Sequence, residues 1–185
     1  MSAIRILAFS LNDGRRLGMG SSSTPKEPGN VLYRIKRGLA GYVSYLAACE
    51  MNEAFSEYVL YEPILRILTA RGFVAHCEVP CPGLTRRPVG DAKKLDFVAE
   101  RNGVHFAIET KWARARRLKV DRDLEKLRAF REENHGAKSF LCVFGRKKHI
   151  NRLSLSSRAF HERGKPVFAE FGVTRYGCRV FQLGR

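Results

Sequence analysis

Leu95-Asp96-Phe97-Val98-Ala99-Glu100-Arg101-Asn102-Gly103-Val104-His105-Phe106-Ala107-Ile108-Glu109-Thr110-Lys111-Trp112 is the stretch on which the reading of this chain turns. Asn102-Gly103 is a strong hairpin signal, because both residues tolerate the positive φ of a type I′ turn. With these two as the loop, Arg101 faces Val104, Glu100 faces His105, and the ladder runs back until Asp96 faces Glu109. Directly opposed side chains lie roughly 4.5–5.5 Å apart at Cβ. Lys111, two residues past Glu109, points to the same face. That face carries Val98 and Ala107 on the way to the turn, which leave room above the sheet. Phe97, Val98, Ala99, Phe106, Ala107 and Ile108 make both faces apolar at mid-strand, which predicts a sheet covered on both sides.

Two carboxylates that close repel each other unless a cation sits between them. Oxygen ligands at this spacing suit Mg²⁺ or Mn²⁺, and a lysine beside such an ion can position water or neutralise a phosphate. The competing reading is a solvated hairpin with a Glu-Lys pair. Charges in a covered sheet are rare unless paired or metal-bound, which favours the first reading.

Outward from the hairpin, Val31 to Cys49 has helical periodicity with Arg34, Lys36 and Arg37, although Gly38 and Gly41 weaken it. Asn52 opens a second helical stretch as N-cap. Pro63 is tolerated at a first helical position, Ile64, Leu65, Ile67 and Leu68 give a core face, and Gly72 ends the helix. Phe73 to Val79 reads as a strand and Pro80 to Gly90 as a loop. After the hairpin, Asp121 caps a helix in which Leu124, Leu127 and Phe130 recur at helical spacing. The apolar run Phe140 to Phe144 follows, so the strand-helix-strand order predicts a parallel pair. Residues 151–163 read as helical, and Val167 to Phe171 and Cys178 to Leu183 as late strands. The expected fold class is α/β, a mixed central β-sheet flanked by helices.

Asp96 followed by Glu109-Thr110-Lys111 resembles the PD-(D/E)XK nuclease superfamily, also called restriction-endonuclease-like: an Asp on one strand, a spacer, then Glu-x-Lys on the next. Leu95 stands where the family pattern has proline. The resemblance covers about residues 50–150 and extends to the element order, helix, strand, strand, strand, helix, strand, which is the family's αβββαβ core. It implies a metal-dependent phosphodiesterase in which Asp96 and Glu109 hold Mg²⁺ or Mn²⁺, the Thr110 carbonyl adds a ligand, and Lys111 orients the water or stabilises the transition state. It also implies a helix glutamate near the ion, for which Glu57 is the candidate and Glu53 the competitor. Glu78 either approaches this site or faces solvent. Asp123 and Lys126, in an Asp-x-x-Lys-Leu run, read as ordinary helix-surface charge, and His105 as structural.

With 185 residues, 44% of them apolar, the chain is long enough for one substantial core. A net charge of +16 and a pI of about 10.2 favour a polyanionic partner. Arg86 and Arg87, Arg114, Arg116 and Arg117, and Arg146, Lys147 and Lys148 are the expected nucleic-acid contacts, giving affinity without sequence specificity. Trp112 either stacks on a base or packs in the core. Five cysteines without a paired framework predict reduced thiols and a cytoplasmic setting. No apolar run reaches membrane-spanning length. Residues 1–29 read as a flexible segment, with Met19 an alternative start, and 30–185 as a single nuclease-like domain with an extra N-terminal helix. The expected function is a divalent-metal-dependent endonuclease acting on DNA. The alternative is a non-catalytic nucleic-acid-binding module of nuclease-like fold. Cutting both strands takes two active sites, which leaves a homodimer open.

Overall fold

The structure, a computed structural model, describes residues 29–51, 56–84, 93–169 and 174–184. The expectations for residues 1–28, Asn52, Glu53, Arg86, Arg87 and Phe171 lie outside the described residues.

Asn102 and Gly103 both have positive φ, 49° and 74°, as the hairpin turn requires. From this turn β2 (Lys94–Arg101) and β3 (Val104–Ala113) pair antiparallel, in the expected register, from Arg101↔Val104 to Phe97↔Ile108. There the rungs stop, one short of the expected Asp96–Glu109 pair. Past Ile108 backbone groups bond to side chains instead: the Asp96 N–H donates to Glu109 Oε1 at 3.2 Å, and the Thr110 N–H to Asp96 Oδ2 at 2.7 Å. The strands fork where the two carboxylates sit.

On its other edge β3 pairs parallel with β5 (Lys138–Arg146), from Phe106↔Lys138 to Ala113↔Gly145, and α3 (Asp121–Glu133) makes the crossover. A parallel pair needs such a connection. β1 (Val74–Pro80) flanks β2, and β9 (Tyr176–Leu183) runs antiparallel to β5. The short β7 (Phe160–Glu162) and β8 (Val167–Ala169) both pair with β9. The sheet order is β1-β2-β3-β5-β9-β7, a mixed and largely antiparallel sheet.

Helices cover both faces. α1 (Gly29–Ala48) and α2 (Tyr61–Ala70) bury Ile35, Leu39, Ile64 and Leu68 against Phe97, Phe106, Phe140 and Phe144. Phe106 stacks edge-on with Phe73 and Phe140, at 5.2 and 5.9 Å between centroids. Gly38 has a packing reason: a Cβ there would stand 2.7 Å from Ile67 Cδ1, so its absence lets α2 approach α1. On the opposite face α3 buries Leu127 and Phe130 in a cluster with Ala107, Leu141 and Val143. Each such apolar side chain contributes about 1.5–3 kcal/mol on burial.

Two expectations are corrected. Residues 151–163 are not a helix: they hold β6 (Ser154–Leu155), which pairs with β4 (Arg117–Leu118), and β7. A four-residue α4 (Lys147–Ile150) precedes them. Asp121 is the first residue of α3 and makes no capping bond. The Val120 N–H instead donates to the Ser156 hydroxyl at 3.0 Å, so a distant segment closes the helix start. All five cysteines are free thiols, with Cys81, Cys142 and Cys178 buried. Among the described residues no helix is long and apolar enough to cross a membrane.

Candidate functional site

Alternation along β3 divides its side chains. Phe106, Ile108 and Trp112 join the core under α1 and α2, while Ala107 and Ala113 join the one under α3. Glu109 and Lys111 share the second face, and α3 supplies a partner for each. Lys111 Nζ lies 2.9 Å from Asp123 Oδ1. Lys126 Nζ donates to Glu109 Oε2 and, at 2.8 Å, to the Lys94 carbonyl. Asp123 and Lys126 are therefore not solvated helix charges. Asp123 is only 4% exposed, and its Oδ2 is buried with no hydrogen-bond partner. The spacing of three places Asp123 and Lys126 on adjacent turns of one helix face, so the Asp-x-x-Lys-Leu run was the available signal.

The fork positions the remaining acids. Thr110 and Trp112, two residues apart on β3, direct their N–H groups to the edge that β2 has left. Asp96 Oδ2 accepts from the Thr110 N–H and from its hydroxyl, each at 2.7 Å. Glu57 Oε1 accepts from the Trp112 N–H at 3.0 Å. Glu57 precedes a 3-10 turn, Tyr58–Leu60, that leads into α2. The structure thus brings Asp96, Glu109, Lys111, Thr110 and Glu57 into one region. Thr110 enters it through its N–H and hydroxyl as a donor to Asp96.

Glu109 is 1% exposed. Burial pushes its carboxyl up to about 8, the Asp96 charge adds to this, and Lys126 opposes it. Burial pulls the Lys126 ammonium down, but the Glu109 charge and hydrogen bond outweigh burial and leave it raised. On rising pH the pair gives up the Glu109 proton first. Burial, then the Asp96 charge, raises the Tyr61 phenol, which donates to Glu78 Oε1 at 2.9 Å. Glu78 thus faces Tyr61 and, at 3.5 Å, Lys94.

The basic residues after the strands cluster. Ala113 and Gly145 are opposed across the β3–β5 pair, so Arg114 and Arg146 leave the sheet side by side. Arg114, Arg116, Arg117, Arg146 and Lys148 are exposed, and Lys147 is half-buried with its ammonium over the Phe168 ring. They rim the end of the sheet where Lys111 lies. Trp112 packs edge-on against Phe144 at 4.9 Å, as a core residue. His105 meets Glu100 at 3.7 Å beside the turn, apart from the acids.

Among the described residues no three His, Cys, Asp or Glu side chains gather as a metal-holding group. Two carboxylates at one fork still fit a hard divalent ion, which often binds through one or two carboxylates and several waters. The chemistry of the donors supports the fit, since buried Glu109 already holds a cation, the Lys126 ammonium. A comparison with known protein families, with curated proteins and with solved structures finds no match.

Proposed function

We propose that this chain is a divalent-metal-dependent nuclease of PD-(D/E)XK type that hydrolyses phosphodiester bonds in DNA. One observation carries the reading: the strand fork holds Asp96 and Glu109 together, joined by the Asp96 N–H on Glu109 Oε1, with Lys111 on the Glu109 face. In this reading Asp96 and Glu109, with the Thr110 carbonyl, hold Mg²⁺ or Mn²⁺. The bound ion supplies a lowered pKa for water and relief of phosphate charge. Lys111, steadied by Asp123, offers its ammonium to the phosphate. Lys126 competes with the divalent ion for Glu109 and sets the affinity of the site. Glu57 is a positioning residue, because it holds the Trp112 N–H next to Lys111. Arg114, Arg116, Arg117, Arg146, Lys147 and Lys148 contact the DNA backbone, whose binding weakens with salt.

A second reading, a non-catalytic nucleic-acid-binding module of nuclease-like fold, is favoured by one fact: Lys126 already neutralises Glu109. Incubating the protein and its Glu109→Ala variant with plasmid, linear duplex, single-stranded DNA and RNA, in Mg²⁺, Mn²⁺ or EDTA, separates the two. Metal-dependent cleavage lost in the variant supports the nuclease and names its substrate. Salt-sensitive binding without cleavage in any metal supports the module.

A further inference from the structure

Across α3 from the carboxylates lies a concavity. Lys126 faces β2 and Glu109 from one flank of the helix. On the other flank Arg128, Arg131 and Glu132 recur at three- and four-residue steps and, with His135 just past the helix end, form one wall of an open groove of about 1280 Å³. Arg158, His161 and Arg163 form the opposite wall, beside β7. Lys138 adds a cation at the start of β5.

The charge is one-sided. Glu162 is taken up by the Arg179 guanidinium, with Nε at 2.8 Å from Oε1. Arg131 is spent on the Leu183 and Gly184 carbonyls. Arg128, Lys138, Arg158 and Arg163 remain exposed on facing walls, with Glu132 the one acid left among the lining residues.

Size and chemistry restrict the ligand. Small-molecule pockets span about 300–1,000 Å³ and are mostly apolar. This groove is larger, open, and lined by only Ala137, Ala159 and Leu183 as apolar side chains. Among the described residues no Phe, Tyr or Trp lines it, and its only rings are the imidazoles of His135 and His161, so the large stacking platforms that drive single-strand binding are missing there. Cations on two walls without a large aromatic platform suit phosphates whose bases are turned inward.

We infer that this groove binds the phosphate backbone of a nucleic-acid duplex, without reading its sequence. It does not depend on the carboxylates being catalytic.

The test is fluorescence anisotropy in EDTA, with a labelled duplex and a single strand of the same length, between about 50 and 200 mM salt. Two charge-matched triple variants are compared: Arg128→Gln/Arg158→Gln/Arg163→Gln in the groove, and Arg34→Gln/Arg37→Gln/Arg66→Gln on the exposed sides of α1 and α2. All six arginines are exposed, so both variants should keep the wild-type melting temperature, and each single substitution is measured beside the triple. The expected result is tighter binding of duplex than of single strand by the wild type. The groove triple should weaken duplex binding at least tenfold and lower the log–log salt slope by about 1 for each lost phosphate contact, with a much smaller change in the control triple. Equal losses in the two triples, an unchanged slope, or stronger binding of the single strand would each overturn the inference. Loss of duplex binding in the groove triple of a protein that cleaves nothing would uphold it while removing the proposed nuclease.

Discussion

Toward α1 and α2, β3 presents Phe106, Ile108 and Trp112; toward α3, offset by one residue, it presents Ala107, Glu109 and Lys111. The first side is closed by aromatic contact. The second adds ion pairs to the Leu127 and Phe130 cluster, and in them each β3 charge meets an opposite charge from α3. Ions withdrawn from water cost free energy that their pairing only partly returns. One side is held by apolar contact, and the other also carries ion pairs, at a cost, beside the fork.

The sharpest way to break this contrast is to weaken the aromatic side. Phe140→Ala should cost about 3–5 kcal/mol in a urea titration. A loss below about 1 kcal/mol would mean that the ion-paired side carries the fold.

Next comes the ion-paired side. Lys126→Met removes the cation from buried Glu109, and breaking a buried pair costs about 3–5 kcal/mol if the remaining charge stays ionised. Glu109 escapes by keeping its proton, so the variant should be close to wild type near pH 5 and fall away above pH 8. Equal losses at both pH values would show that Lys126 acts by packing.

Glu109→Gln gives a smaller, opposite signature. The folded carboxyl titrates near 8, above its ordinary value of 4.5. Its contribution to stability is therefore full below about 4.5 and is lost as pH rises through about 8. The variant should flatten that decline and gain stability relative to wild type on the alkaline side. Mg²⁺ added near pH 8 should raise the wild-type midpoint and leave the variant's unchanged. If both midpoints rise equally, the ion is not bound at Glu109.

The least effect is expected from Glu57→Gln, which retains an acceptor for the Trp112 N–H. It should change stability by less than about 1 kcal/mol, whereas Glu57→Ala strands that donor and should cost about 1–3 kcal/mol.

The comparison also marks what the sequence discloses. The turn, the pairing down to Phe97↔Ile108 and the parallel β5 were legible, because turn chemistry and alternation are local signals. The fork was not, since nothing in Asp96 or Glu109 alone says that a rung will be replaced by side chains. Asp123 and Lys126 read as surface charge because a charged helix face looks the same in sequence whether it meets water or an opposing charge. Residues 151–163 failed for a related reason. β6 and β7 exist through pairing with β4 and β9, and neither partner is adjacent in the chain.

The two-residue turn at Asn102-Gly103 also orders events in time. It makes the β2–β3 hairpin the most local part of the sheet, and hairpins close in about 1–10 μs. Asp96 and Glu109 should therefore meet early, before β5 pairs with β3 across the α3 crossover. For that interval the nascent fork would lack Lys126, which arrives only with α3. A divalent cation in the refolding buffer should therefore speed folding, and a rate unchanged by the ion would show that the fork closes late.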